Sequence, residues 1–234
     1  MTNSATIVNP ENHIILALDV PNFNEAKAWI DRLPDVKFWK VGLELFVADG
    51  KETLSYLQGK QKRIFLDLKF HDIPNTVAGA CRVALTYGVD FLTVHGSGGK
   101  AMLEAAQNAV AGSSTKLLAV TLLTSLTDRD LTDLKVQLTL PEYVNHLAKT
   151  AQELSLAGVV CSPQEVQSLR SMVSPDFLLV TPGIRWAEGS QDQKRVSTPR
   201  QSFMGGANYI VVGRSVLQSA NPEAAWVELC AEVG

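Results

Sequence analysis

The segment DLKFHDIPNT at 67–76 places two carboxylates and an ammonium within six residues, as Asp67, Lys69 and Asp72. Lysine carries its proton at neutral pH, so a lysine flanked by carboxylates is equipped to give a proton rather than to take one. It also sets a cation where negative charge could develop, and such preorganised stabilisation is often the largest part of an enzymatic acceleration. Side chains alternate along a strand, so in RIFLDLK (63–69) Asp67 and Lys69 share one face while Leu66 and Leu68 take the other. Other polar residues end or follow apolar runs in the same manner: Asp19, Lys40, His95 and Thr124, then Arg185 and Arg214. The same parity sets Asp19 with Ala17 and Lys40 with Phe38, and turns Lys37 the other way. Isolated ions are expensive to desolvate, so Asp19, Lys40, Asp67 and Lys69 gathered at one mouth must neutralise one another. A solvated salt-bridge cluster is the plainer alternative, but such clusters have no reason to recur at one end of several strands.

Positioning these groups requires a repeating frame. Eight short apolar or β-branched runs (14–20, 36–41, 63–69, 90–95, 116–124, 158–161, 177–182 and 208–213) alternate with amphipathic stretches at 24–33, about 44–58, 74–87, about 98–111, 141–156, 163–172, about 197–205 and 214–230. Eight βα units in a chain of 234 residues predict a single (β/α)8 barrel over residues 13–234, preceded by an N-terminal tail at 1–12. A doubly wound sheet is the rival, but ALDVPNF after the first run lacks the glycine-rich turn of that fold. Pro74, Pro141 and Pro163 each stand where a helix can open, since a first-turn proline gives up no hydrogen bond. In a barrel the chemistry gathers at the carboxyl ends of the strands, which is where the polar residues above fall. The polar stretch 183–196 reads as a binding loop or lid.

Composition narrows the function classes. With 46% hydrophobic and 19% charged residues the chain reads as a soluble globular protein, large enough for a core without disulfide or metal staples. Its 21 basic and 24 acidic residues include no dense Lys/Arg block, so no nucleic-acid partner is expected. Neither a signal-like leader nor a membrane-length apolar run stands in the sequence, and the scattered Cys81, Cys161 and Cys230 read as thiols of a cytoplasmic protein. His71 and His95 could be imagined with Asp72 around a metal, but no third ligand stands at helix spacing, so no metal is expected. The turn HGSGGK at 95–100 could cradle a phosphate, although a tight turn is the simpler reading.

DLKFHDIPNT, together with LALDV at 16–20, WKVG at 39–42, LLTS at 122–125, TPGIR at 181–185 and VGR at 212–214, closely resembles the orotidine 5′-phosphate decarboxylases of the bacterial type, over nearly the whole chain. Mg2+-dependent sugar-phosphate decarboxylases and synthases of the same barrel suprafamily are similar around Asp-x-Lys-x-x-Asp. They typically continue with Ala-Gly and carry an acidic residue where Lys40 stands, whereas this chain continues IPNT and is basic there. A non-catalytic nucleotide-binding protein on the same scaffold is a third reading, which the intact Lys69 between two carboxylates disfavours.

The resemblance implies conversion of orotidine 5′-monophosphate to UMP and CO2 without a cofactor. Lys69 would protonate C6, and Asp67, Asp72 and Lys40 would complete the charge array. Asp19 and Lys40 would hold the ribose, Thr124 and Ser125 the pyrimidine edge, and Arg185, Arg214 and the backbone N–H of Gly213 the phosphate. Gln193, with Gln191 as its alternative, would bridge phosphate and base from the loop. Asp72 and Thr76 would reach the site of the neighbouring subunit, which implies a homodimer.

Overall fold

The computed structural model describes residues 7–184 and 197–234. Eight parallel strands form a closed barrel in sequence order, the last pairing with the first: β1 (Ile14–Leu18), β2 (Phe38–Val41), β3 (Arg63–Phe70), β4 (Phe91–His95), β5 (Lys116–Val120), β6 (Gly158–Val160), β7 (Leu178–Thr181) and β8 (Tyr209–Val212). The helices that cover it are α1 (Phe23–Arg32), α2 (Leu43–Gly59), α3 (Pro74–Leu85), α4 (Lys100–Val110), α5 (Asp128–Asp133), α6 (Leu140–Glu153), α7 (Val166–Met172), α8 (Pro199–Met204), α9 (Arg214–Leu217) and α10 (Pro222–Val233). No helix among the described residues is long and apolar enough to cross a membrane. Residues 7–12 lie against the barrel, where Ile7 N–H bonds the Val233 carbonyl and Pro10–Asn12 forms a 3-10 turn.

The expected βα alternation holds, and the departures have local causes. The run 116–124 pairs only as far as Val120, because its neighbour β6 is three residues long and offers no further ladder. The chain then bends at 121–126 and opens into α5, a short helix started by a capping box in which Thr127 and Asp130 satisfy each other. Pro163 does not open a helix; α7 begins only at Val166, whereas Pro74 and Pro141 do stand in the first turns of α3 and α6. The expected helix at 214–230 is two helices. Asn221 caps the second by accepting from Ala224 N–H, and Pro222 cannot donate to a continuous helix.

Parity divides the core into two layers. Ile15, Phe38, Phe65, Phe91, Leu118 and Val180 are among the residues that fill the barrel, while Leu16, Trp39, Leu66, Leu92 and Ile210 pack outward beneath the helices. Arg63 closes the barrel floor. Its guanidinium lies 3.9 Å from the ring centre of Phe38, and its Nε is 3.2 Å from Asp90 Oδ1. At the start of β6 the backbone leaves no room for a side chain, because a Cβ on Gly158 would lie 2.2 Å from the Leu178 carbonyl oxygen. Gly158→Ala is therefore expected to destabilise the barrel by about 3 kcal/mol, a melting temperature lower by roughly 6–12 °C. Thermal unfolding followed by circular dichroism checks this.

Candidate active site

At the carboxyl ends of β1, β2 and β3 the inward positions become charged. Asp19 follows β1, Lys40 lies on β2 next to Val41, and Asp67 and Lys69 occupy the last part of β3. The four side chains form a row of alternating sign. Lys40 Nζ donates to Asp19 Oδ1 at 3.1 Å and lies 3.8 Å from Asp67 Oδ2, which accepts from Lys69 Nζ at 2.9 Å. Asp67 is buried, and its second oxygen accepts from the Thr93 hydroxyl at 3.0 Å. A buried carboxylate is tolerable only when bonded in this way.

Backbone geometry serves the same row. Gly42 leaves space beside Lys40, for a Cβ there would stand 3.0 Å from Lys40 Nζ and would press the ammonium away from Asp19. Lys69 adopts φ of 50°, the left-handed region that a lysine seldom occupies, and β3 shifts register against β4 between Leu66 and Phe70. An irregularity that re-aims a side chain at a barrel rim is a common mark of a functional strand end.

The row lines a cavity of about 270 Å3. Phe65, Val120, Leu122, Val160, Ile184 and Val211 contribute apolar wall, and Thr124, Gly213 and Arg214 reach it from the ends of other elements. Such a chamber suits a ligand with a flat apolar body and several polar attachments. Beside the row, the His95 and His71 rings lie 5.2 Å apart. Burial, then His71 and Lys69, holds the His95 imidazole below its ordinary value, so it is neutral at neutral pH. Among the described residues no three His, Cys, Asp or Glu side chains gather as a metal site.

Of the residues singled out from the sequence, Asp19, Lys40, Asp67, Lys69, Thr124, Gly213 and Arg214 are brought to one cavity. Asp72, Thr76 and Ser125 are exposed and are not part of its lining. The Asp72 carboxylate instead accepts from the Ile73 N–H at 2.7 Å. Arg185, Gln191 and Gln193 fall outside the described residues. Lys37 is exposed, as its parity requires. Thr93 is a polar contact of Asp67 that the residue pattern does not mark, although it shares the inward face of β4 with Phe91.

The model of the orotidine 5′-phosphate decarboxylase / HUMPS family matches residues 12–229. The chain belongs to this family. It is 52% identical over 227 residues to orotidine 5′-phosphate decarboxylase of Gloeothece citriformis, covering 95% of this chain and 97% of that one. It is 53% identical over 230 residues to the enzyme of the same name from Nostoc, covering 94% and 96%. A crystal structure of orotidine 5′-phosphate decarboxylase from Lactobacillus acidophilus superposes with a TM-score of 0.85 at 39% identity, covering 95% of this chain and 99% of that one. Membership in the decarboxylase family makes the chain a carboxy-lyase of pyrimidine biosynthesis, and relatives near 50% identity that carry the decarboxylase name do not favour the Mg2+-dependent sugar-phosphate alternative.

Proposed function

We propose that the row Asp19–Lys40–Asp67–Lys69 carries out the family's decarboxylation of orotidine 5′-monophosphate with protein groups alone. The observation that carries this is the Lys69 ammonium, 2.9 Å from Asp67 and facing the cavity beside Lys40. The bond from C6 to the carboxylate breaks, CO2 departs, and the electron pair stays on C6. The Lys69 N–H then delivers its proton to that carbon, giving UMP, and the amine regains a proton from solvent. A fixed cation beside the nascent carbanion lowers the barrier without reorganisation at the moment of reaction. The apolar wall strengthens the effect by excluding water.

Asp19, Lys40, Thr124, Gly213 and Arg214 stand at the cavity, and the family resemblance supplies the contacts of Ser125, Arg185 and Gln193. Asp19 accepts from ribose hydroxyls and Lys40 donates to one. Thr124 and Ser125 meet the pyrimidine edge, while Gly213 N–H, Arg214 and Arg185 take the phosphate, with Gln193 bridging phosphate and base. Phosphate at the loops after the last two strands is the usual arrangement in such barrels. Asp72 and Thr76 serve the neighbouring subunit of a homodimer. Supporting this are their exposure beside Ile73, which is 67% exposed, and the exposed apolar Leu43 and Val47 at the start of α2, after the adjacent strand. The compartment this implies is the cytoplasm.

Incubation of the purified protein with orotidine 5′-monophosphate tests the reading. Loss of the orotidylate absorbance, at the same rate with and without EDTA, is the expected result. No turnover, or turnover abolished by chelator, would overturn it.

A further inference from the structure

Resting on that reading, we propose that Thr93 is a positioning residue for proton delivery, acting through both Asp67 and Lys69. Its side chain is fully buried. The hydroxyl donates to Asp67 Oδ1 at 3.0 Å and accepts from the backbone N–H of Lys69 at 2.9 Å. It thus uses its single proton on one member of the acid pair and a lone pair on the other.

The register of β3 explains why a side chain is needed there. Leu66 pairs with Leu92 and Phe70 with Val94, so four steps along β3 are matched by two along β4. Within this bulge the Lys69 N–H turns to the Thr93 hydroxyl while Lys69 holds its left-handed φ of 50°. Threonine is branched at Cβ, which restricts its χ1 and fixes the hydroxyl between the two partners. The carboxylate that receives the Lys69 ammonium and the backbone that aims it are therefore tied to one atom. Without that atom, a part-buried N–H and a buried carboxylate oxygen each lose a partner, and the ammonium loses its fixed aim at C6.

Thr93→Val removes the hydroxyl and keeps the shape. For this variant kcat is expected to fall by about 10–100-fold, with KM for orotidine 5′-monophosphate and the Kd for UMP within about threefold of wild type. Thr93→Ser keeps the hydroxyl and is expected to retain kcat within about fivefold. A purely structural threonine would give a different pattern: a lower melting temperature with wild-type kcat per folded molecule, and no advantage of serine over valine. Should the valine variant fail to fold, Thr93→Cys, a weak donor and acceptor of similar size, is expected to lose about fivefold or more in kcat. Wild-type kcat in whichever of the valine and cysteine variants folds overturns the proposal. Absence of turnover in the unmodified enzyme would instead overturn the functional reading, so the two failures are distinct.

Discussion

Lys69→Ala is expected to lower turnover of orotidine 5′-monophosphate by about 10^4-fold or more, while UMP binds within about tenfold of wild type. Two losses combine. The variant has no acid aimed at C6, and it has no ammonium beside the carbon that becomes negative. Binding survives because the groups assigned to ribose and phosphate are other residues. The fold survives as well, for Asp67 keeps Lys40 at 3.8 Å and the Thr93 hydroxyl at 3.0 Å, so its buried carboxylate is not abandoned. Steady-state absorbance measurements give turnover, and calorimetric titration with UMP gives affinity. A variant that still turned over at a near-normal rate would remove Lys69 from the chemistry.

Much of this frame is legible in the residue pattern because period-2 alternation and strand ends are local properties. Asp67 and Lys69 two apart on β3, and Lys40 two after Phe38, face inward by arithmetic alone. The bends were harder to read. Nothing in KLLAVTLLT announces that its ladder stops at Val120, since that limit is set by the three-residue β6 almost forty positions away. Asn-Pro at 221–222 did carry the break between α9 and α10, but an apolar pattern running through both helices masked it. α5 has only six residues, too few for a helical period to emerge.

Within the site, charge was easier to find than support. A charged side chain in an apolar run draws attention, whereas Thr93 is an ordinary β-strand residue. Its role depends on the bulge that aligns it with Asp67 and Lys69, and register across a parallel ladder is a tertiary property. Extending the parity rule to β4 would have put Thr93 on the inward face with Phe91, without revealing its partners. Arg214 follows the last apolar run, Gly213 comes from the family resemblance, and both reach the cavity, at the end of the barrel where anions usually bind. Asp72 is the reverse case. Its motif spacing groups it with Asp67 and Lys69, yet in the single chain it is exposed and bonded to the Ile73 backbone.

That separation makes the second large effect a gain rather than a loss. Lys69→Ala and Asp72→Ala are each expected to be nearly inactive alone, and mixing them with subunit exchange is expected to restore about a quarter of wild-type activity. If Asp72 acts across the interface, a hybrid dimer holds one site lacking both groups and one site with both intact. Random pairing at equal concentrations makes about half the dimers hybrid, each with one working site of two, and hence the quarter. If Asp72 instead acted within its own chain, each site would lack one group in every dimer and mixing would restore nothing. Separately tagged subunits show exchange by co-purification, and the absorbance assay on the same sample gives the activity. Exchange without recovery would sink the shared site while leaving the Lys69 chemistry standing, because the contacts of Lys69 with Asp67 and Thr93 lie wholly within one chain.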